Sequence, residues 1–200
     1  MKTLKKIVFI GLLVLIACAG VAQAQELYKD EKAPMHERIM DLLSRLTVEE
    51  KISLLRATSP GISRLDIPKY YHGNEALHGV VRPGRFTVFP QAIGLAATWN
   101  PELQLQVATV ISDEARARWN ELDQGRNQKE QFSDVLTFWS PTVNMARDPR
   151  WGRMAEGCGE DTYLTTVMGV AMVKGFQGDS LNSPTSIASC PKHFVGYGAA

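Results

Sequence analysis

The chain has 200 residues, of which 44% are hydrophobic and 22% are charged, and its formal net charge at pH 7 is +1. This is the composition of an ordinary globular protein that can bury a sizeable core, and it argues against a disordered chain. A net charge so close to zero also argues against a nucleic acid partner held by electrostatic attraction.

The first 24 residues have the pattern of a secretory signal peptide. Three lysines within the first six residues precede an apolar run over residues 7–16, which is too short to span a bilayer. Residues 22–24 read AQA, an A-x-A cleavage pattern, so Gln25 is the predicted first residue of the mature chain. The pattern predicts export to the periplasm or the extracellular space, without a membrane span.

The cysteines leave one alternative open for this processing. Residues 15–18 read LIAC, which resembles a bacterial lipobox and would leave Cys18 lipidated, although cleavage after Ala24 fits its own pattern better. The mature chain then retains Cys158 and Cys190, for which we expect free, partly buried thiols. No spacing of cysteine or histidine predicts a metal site, and we expect neither a metal nor a cofactor.

The mature chain is predicted to begin with helices. Residues 25–33 are polar and are predicted to form a flexible lead. Apolar residues then recur with the i, i+3, i+4, i+7 spacing of an amphipathic helix: Ile39, Leu42, Leu43 and Leu46. Thr47 and Glu50 have the spacing of a capping box, which predicts a second helix to about Arg56, before residues 59–61 (SPG) break it.

The middle of the chain mixes short extended segments with one long helix. An apolar stretch around residues 70–71 leads into the segment HGNEALHG, and a further extended segment is predicted for residues 93–97. Residues 100–102 (NPE) are typical of a helix start, and that helix is expected to run to about Trp119. Residues 120–134 are polar and are predicted to be a loop.

A continuous apolar run, residues 135–139, predicts a strand that is buried on both faces, and residues 187–190 predict another buried strand. Between them a helix is predicted over residues 160–176. Its expected buried side holds five residues: Leu164, Val167, Met168, Ala171 and Val173. The alternation of strand, loop and helix indicates an α/β fold with a parallel sheet.

The polar, glycine-rich loops of this pattern all follow strands. In a (β/α)8 barrel the active site is built from the loops at that end of the strands. About four strands can be identified, half of what a closed barrel needs, and a complete barrel takes about 250 residues. We therefore expect the chain to be the N-terminal portion of a larger, TIM-type barrel protein.

The segment after the first buried strand carries the densest charge. Residues 144–161 read NMARDPRWGRMAEGCGED and contain three arginines and four carboxylates. An arginine presents five donors in a rigid fork, which suits carboxylates and hydroxyl groups. A solvated loop with incidental ion pairs is the alternative, since such pairs contribute little. The position after a buried strand favours a functional loop.

Two further groups of polar residues lie at strand ends. Lys192 and His193 follow the second buried strand and could both face a cavity, although a histidine satisfied by the backbone is the more common case. Glu75 and His78 lie in the segment NEALHG. A carboxylate there can accept hydrogen bonds from hydroxyl groups, or it can serve a helix dipole instead.

Together these segments resemble the N-terminal domain of glycoside hydrolase family 3. The resemblance rests on EALHG, FPQAIGLAATWNPEL, ARDPRWGR, GED and KHF in that order, and it extends from LTVEEKISLL to KHFVGYGA. It implies a (β/α)8-type barrel followed by an α/β sandwich domain, and a retaining exo-β-glycosidase that acts on oligosaccharides. In this interpretation residues 25–200 are part of the barrel domain.

The resemblance also implies which residues bind the substrate. Four positions match those that hold the non-reducing sugar in the −1 subsite of the family: Glu75, Arg153, Lys192 and His193. The other charged residues of the arginine-rich segment are expected to hold the loop of Arg153 rigid, namely Arg147, Asp148, Arg150 and Glu156. Rigid placement matters because small displacements cost rate steeply.

The substrate class follows from finer features of the resemblance. EALHG with LTFWSPTVNMARDPRWGR is similar to the β-xylosidase and arabinofuranosidase branch, whereas the family's glucosidases usually have Asp in place of Glu75. The longer side chain would occupy the space of the glucose C6 hydroxymethyl group, which xylose lacks. Tyr197 stands where N-acetylglucosaminidases of the family have a histidine, which argues against that branch.

We therefore expect a β-xylosidase. The alternatives are a β-glucosidase of the same family and a non-catalytic sugar-binding protein. A dinucleotide-dependent enzyme is disfavoured because no G-x-G-x-x-G follows a strand.

The catalytic carboxyl groups themselves are not assigned in this chain. The resemblance implies an Asp nucleophile after the KHF segment and a Glu acid/base in a later loop or domain, both beyond residue 200. Retaining hydrolysis needs two carboxyl groups about 5–5.5 Å apart. We therefore expect residues 1–200 alone to be inactive.

Overall fold

The computed structural model describes residues 26–125, 136–178 and 186–198. The predicted signal peptide, with Cys18, and Gln25 lie outside the described residues, as does the part of the predicted loop from 126 to 134. The chain divides into two compact units, one ending at Ser53 and the other beginning at Leu54.

The first unit is helical. A 3-10 helix, Leu27–Lys29, precedes α1, Met35–Arg45, and α2, Val48–Leu54, begins in this unit. The predicted flexible lead is wrong for residues 27–29, because polar side chains of α1 fix them. The backbone N–H of Tyr28 donates to the Asp41 carboxylate over 3.0 Å, and the Arg38 guanidinium donates to the Tyr28 carbonyl.

The predicted capping box is confirmed at the start of α2. The backbone N–H of Thr47 donates to the Glu50 carboxylate over 2.8 Å, and the backbone N–H of Glu50 donates to the Thr47 hydroxyl over 3.2 Å. Side chains thus satisfy N–H groups that have no partner inside the helix. The helix ends at Leu54, slightly before the predicted end at about Arg56.

The second unit begins with a short antiparallel pair. β1, Thr58–Ser59, pairs with β2, Tyr70–Tyr71, and a 3-10 helix, Ser63–Leu65, lies between them. The extended segment predicted for residues 93–97 is wrong, since α3 occupies Ala92–Ala96. A short apolar run cannot be assigned by periodicity alone, and here alanine favours the helix.

The long helix α4 spans Pro101–Gly125. As predicted, it begins after Asn100, whose side-chain oxygen accepts a hydrogen bond of 3.0 Å from the backbone N–H of Leu103. It continues past the expected end at Trp119, so the first residues of the predicted 120–134 loop are helical.

Three segments run side by side in parallel. β3, Thr137–Phe138, pairs with β4, Ala188–Ser189, in the register Thr137 to Ala188. On the other side of β3, Asn74 forms a parallel bridge with Phe138. The order in space therefore follows the order in the chain, as predicted for successive parallel strands joined by crossovers.

The apolar core lies between these parallel segments and two helices. α5, Thr162–Gln177, begins at the N-cap Asp161 and packs against α4. Buried core residues come from the strands, both helices and the segments between them: Ala76, Val80, Leu95, Val107, Ala108, Ile111, Ala115, Phe138, Met172, Phe176 and Ile187. The predicted mixed α/β architecture, with the first buried strand on Phe138, is confirmed.

The two helices approach closely at Gly175. A Cβ atom there would lie 2.5 Å from the Cβ of Ala108 and 2.6 Å from the carbonyl oxygen of Leu105. The Ser112 hydroxyl also crosses this interface and donates to the Phe176 carbonyl over 2.9 Å. Glycine is therefore required by space, since nothing larger fits at this distance.

Three sequence expectations about burial need correction. The strand predicted to be buried over residues 187–190 buries Ile187, but Ala188 is exposed and Ser189 is half-buried, because the strand lies at one side of the parallel segments. Leu164, Val167 and Val173 are only half-buried, because the buried side of α5 follows Met168, Ala171 and Met172 toward the glycine contact. Cys158 is half-buried and free, as expected, but Cys190 is exposed. No helix in the described ranges is long and apolar enough to cross a bilayer.

Candidate functional site

Polar residues follow each of the three parallel segments at the same edge. Glu75 comes directly after Asn74, and the arginine-rich loop follows β3. Lys192 and His193 follow β4, and Lys192 forms a parallel bridge with Thr142. Because the carboxyl ends of parallel strands meet at one edge, residues that are far apart in the chain are brought together here.

Glu75 and Lys192 form the first part of this cluster. The Lys192 ammonium donates to both carboxylate oxygens of Glu75, over 2.7 and 2.8 Å. The lysine side chain is 12% exposed and the glutamate side chain 37% exposed. The glutamate side chain thus stays partly open to a ligand, while the less exposed ammonium balances its charge.

Arg153 and Glu156 form the second part. The 3-10 helix Met154–Glu156 starts directly after Arg153 and turns the Glu156 side chain back onto it. The guanidinium donates to both oxygens of Glu156, over 2.6 and 2.5 Å. This hydrogen bonding lowers the pKa of Glu156 and raises the pKa of Arg153, so both groups stay charged.

His193 joins the two parts. Its Nε2 lies 3.2 Å from Nη1 of Arg153, and it is the next residue in the chain after Lys192. Burial lowers the pKa of His193, and the positive charges of Arg153 and Lys192 lower it further against the opposing effect of Glu156 and Glu75. The neutral form of the histidine is therefore favoured between the two ion pairs.

Aromatic side chains border the cluster. The Tyr197 ring meets the His193 ring edge-on at 4.6 Å between centroids, and the buried Trp151 ring meets Tyr197 in the same way at 5.6 Å. The Arg153 guanidinium lies 5.7 Å from the centre of the Tyr197 ring. These contacts restrict the positions of Arg153 and His193.

The structure brings together all four residues that the sequence predicted, since contacts run from Glu75 to Lys192 and from His193 to Arg153. His78 does not join them. Its ring Nδ1 lies 2.8 Å from the carbonyl oxygen of Phe89, which is the backbone-satisfied arrangement. Whether the four residues bind sugar stays a prediction at this point.

The bracing predicted for the arginine-rich loop is correct only in part. Glu156 does hold Arg153, whereas Asp148 and Arg150 pair with each other at the surface, where the arginine is 78% exposed. Arg147 is exposed and has no ion pair with a carboxylate that the structure describes. The loop is therefore held by two separate pairs and not by one network.

Asn144 was missed by the sequence analysis, although it belongs to the cluster. It is 8% exposed and contacts both His193 and the backbone of Tyr197. The only signal in the sequence was a polar residue just after the run SPTV that follows a buried strand. Local pattern could not show which distant residues it would meet.

The cluster is suited to binding hydroxyl groups at its open face. The two carboxylates can accept hydrogen bonds, and the ammonium and the guanidinium can donate them. Their two negative and two positive charges balance. A cavity behind Glu156 has a volume of about 10 Å³, which suits one water molecule and no sugar ring. In the part of the chain covered by the structure, no three His, Cys, Asp or Glu side chains form a group that could hold a metal ion.

Comparison with known proteins gives matches over most of the chain. The model of the glycosyl hydrolase family 3 N terminal domain matches residues 38–200. A xylan 1,4-beta-xylosidase of Xylanibacter ruminicola is 44% identical over 185 residues, which cover 92% of this chain and 22% of that protein.

Solved structures of glycosidases also resemble this chain. A GH3 exo-beta-xylosidase in complex with a xylobiose aziridine activity-based probe has a TM-score of 0.70 and 31% identity over 88% of this chain and 23% of its own. A beta-glucosidase from Listeria innocua in complex with glucose has a TM-score of 0.61 and 26% identity over 84% of this chain and 28% of its own. The chain thus spans less than a third of the length of each of these proteins. The likeness confirms the predicted fold class, the N-terminal portion of a (β/α)8-type barrel.

Proposed function

The chain belongs to glycosyl hydrolase family 3 through its N-terminal domain, and on this premise we propose that the whole protein is a retaining exo-β-glycosidase, a β-xylosidase acting on xylo-oligosaccharides. The observation that carries the proposal is the convergence of Glu75, Arg153, Lys192 and His193 at one edge of the parallel segments. The similarity to the xylosidase of Xylanibacter ruminicola supports the choice of sugar.

In this proposal the four residues hold the terminal sugar of the substrate. The Glu75 carboxylate accepts hydrogen bonds from ring hydroxyls, while the Lys192 ammonium beside it donates to them. Arg153, fixed by Glu156, donates from its guanidinium edge. Several hydrogen bonds from opposed directions orient one pyranose ring, and this orientation contributes to rate by presenting the anomeric carbon to the reacting groups.

The reaction itself would use two carboxyl groups that the family resemblance assigns to later parts of the protein. An Asp attacks the anomeric carbon and expels the leaving group, which a Glu protonates, and water then hydrolyses the glycosyl-enzyme. The role of residues 26–198 in this scheme is to bind and orient the sugar, with no metal or cofactor required. The substrate partner is an oligosaccharide.

Glu75 is proposed to set the preference for xylose. Its side chain is 37% exposed at the open face of the cluster. The length of this side chain therefore determines how much room remains for a substituent on the sugar ring. Glucose differs from xylose by its C6 hydroxymethyl group, and steric rejection of that group favours xylosides. The shorter aspartate would leave space for it.

The test is the ratio of kcat/KM for a matched aryl β-xyloside and aryl β-glucoside, measured on the full-length protein. We expect the xyloside to be preferred, and we expect Glu75→Asp to move the ratio toward the glucoside by about 10-fold or more, as for other single-methylene differences. Asp148→Glu, in the arginine-rich loop, also changes an acidic side chain by one methylene and is the control, because Asp148 pairs with the exposed Arg150 and not with the cluster. Equal ratios in wild type and Glu75→Asp would defeat the assignment of Glu75.

Two alternatives to a β-xylosidase are distinguished by experiment. The likeness to the Listeria innocua beta-glucosidase favours a β-glucosidase, which the same kinetic ratio distinguishes. A non-catalytic sugar-binding protein would keep this cluster without the reacting carboxyl groups. It would bind xylose in calorimetry but would turn over neither aryl glycoside.

We also propose that the protein is exported through its N-terminal signal peptide, with Gln25 as the first mature residue. The supporting pattern is the lysine-rich start, the apolar run and the AQA cleavage site. N-terminal sequencing of the protein from the native cell envelope or medium tests this. A lipidated N-terminus at Cys18 would support the lipoprotein alternative, and an intact Met1 would contradict export by cleavage.

A further inference from the structure

Asn144 uses both ends of its side-chain amide at the centre of the cluster. Its Oδ1 accepts a hydrogen bond of 2.9 Å from the backbone N–H of His193 and lies 2.8 Å from Nδ1 of the same residue. Its Nδ2 donates to the carbonyl of Tyr197 over 2.8 Å. With the side chain buried, Asn144 joins the loop after β3 to both ends of the segment after β4.

These contacts fix which way the amide faces. A backbone carbonyl can only accept a hydrogen bond, so the amide nitrogen must face Tyr197. A backbone N–H can only donate, so the amide oxygen must face His193. Both constraints are independent of the histidine ring, and they agree.

The orientation of the amide determines the proton of the histidine ring. Because Oδ1 of Asn144 is an acceptor, Nδ1 of His193 has to carry the hydrogen. The other ring nitrogen then has a lone pair, and it faces Nη1 of Arg153, which can only donate. Neighbours on both sides of the ring therefore select the same tautomer.

We propose that Asn144 is a positioning residue that holds His193 in the neutral tautomer with its proton on Nδ1, so that Nε2 accepts a hydrogen bond from Arg153 and holds that guanidinium at the sugar site. Because Arg153 uses the single lone pair of Nε2, a sugar hydroxyl would meet the remaining N–H groups of the guanidinium, whose position the histidine fixes. Asn144 touches no substrate in this arrangement and acts through His193.

The charges around His193 give this arrangement a pH dependence. Arg153 and Lys192 disfavour protonation of His193, Glu156 and Glu75 favour it, and the Tyr197 ring contacts the His193 ring in a T-shaped arrangement. Protonation of Nε2 would place a third positive charge beside Arg153 and would remove the acceptor. Binding that depends on the acceptor is therefore lost as the pH falls.

The first experiment is ¹⁵N NMR of the full-length protein with labelled histidine, in which the His193 signals are assigned by their loss in His193→Gln. We expect the wild type to show a protonated Nδ1 and an unprotonated Nε2 at pH 7. Asn144→Asp keeps the acceptor and adds a negative charge, so the pKa of His193 should rise by about 1 to 3 pH units. Asn144→Leu should lose the preference for the Nδ1 tautomer.

The control is Asn100→Asp, which adds the same charge at the exposed N-cap of α4 and should leave the His193 titration unchanged. A wild-type His193 protonated on Nε2 would overturn the proposal. So would an unchanged pKa in Asn144→Asp, a variant of nearly the same shape that remains informative if Asn144→Leu does not fold.

The effect on activity rests on the proposed glycosidase function, whereas the NMR result does not. In Asn144→Asp the acid limb of the pH profile of kcat/KM should move to higher pH by the same amount as the His193 titration. If the NMR result holds and no aryl glycoside is turned over, the proposed function fails and the positioning role stands. If glycosides are turned over and the acid limb does not move, the link between Asn144 and sugar binding is wrong.

Discussion

The interface between α4 and α5 is apolar and buried, whereas the edge that follows the strands is polar, charged and partly exposed. In the apolar core at this interface, Ile111 and Phe176 of the two helices are fully buried with Phe138 of β3, and Gly175 allows contact between backbones. At the edge, Glu75 and Arg153 keep more than a third of their side chains exposed and are held by ion pairs. Burial of apolar surface stabilises the first region, whereas partly exposed ion pairs contribute little stability and mainly fix geometry.

This difference predicts that mutations at the two regions separate stability from activity. Loss of apolar volume at the interface should unfold the protein without a specific effect on sugar recognition. Changes to the ion pairs at the edge should reduce activity while the folded state persists.

The largest effect is expected for Phe138→Ala in β3. The ring is fully buried and meets the Phe176 ring at 6.4 Å between centroids, so its removal leaves a cavity that the parallel segments cannot close. We expect a loss of about 3–5 kcal/mol in the free energy of unfolding, measured by denaturant titration. Val110→Ala on the exposed side of α4 is the control, and an equal loss in both variants would contradict the burial argument.

A smaller effect, on activity alone, is expected for Arg153→Lys. Lysine keeps the charge but has a single nitrogen, which cannot replace the three separate guanidinium nitrogens that reach Glu156 and His193. We expect kcat/KM on an aryl β-xyloside to fall by about 100-fold with little change in unfolding midpoint. Arg150→Lys, in the exposed pair with Asp148, should stay close to wild type. Comparable losses in the two variants would show that the loop responds to charge in general.

The third prediction returns to the helix interface. Gly175→Ala should cost about 1–3 kcal/mol of stability, because the added methyl group lies too close to Ala108 and Leu105. The matched control is Gly94→Ala in α3, where the methyl group would meet Pro90 at an ordinary 3.6 Å. Alanine there should be neutral or stabilising. A Gly175→Ala protein as stable as the Gly94→Ala protein would mean that the helices can separate freely.

The smallest effect is the pH dependence of the Arg153–Glu156 pair. The pKa of Glu156 is lowered in the folded state by its hydrogen bonds to Arg153. The pair's contribution is therefore present above the ordinary pKa of a glutamate and is lost as the pH falls through the lowered value. We expect Glu156→Gln to lower the free energy of unfolding by less than about 1 kcal/mol at pH 6. The loss at pH 3 should be smaller still, as measured by denaturant titration at the two pH values. A larger loss of stability at pH 3 than at pH 6 would contradict this pH dependence.

The sequence was sufficient for features that are decided locally. The capping box of Thr47 and Glu50 and the N-cap Asn100 depend on side chains within three residues of the groups they bind, and both were predicted. The α/β order and the buried strand at Phe138 also follow from continuous apolar runs. In each case the pattern and the contact lie in the same short segment.

Features decided by distant contacts were predicted poorly. α3 is a helix where periodicity could not choose, and the buried side of α5 follows the contact at Gly175. The four residues of the cluster were identified by family resemblance, while Asn144 was missed because its partners lie 49 and 53 residues away. The ordering of residues 27–29 by Asp41 and Arg38 was missed for the same reason.

The most direct test of the central proposal is a crystal structure of the full-length protein with xylose bound. We expect one pyranose ring at the edge of the parallel segments, with its hydroxyls within hydrogen-bonding distance of Glu75, Arg153, Lys192 and His193. Xylose bound at another place, with these four side chains unchanged and facing solvent, would contradict the account.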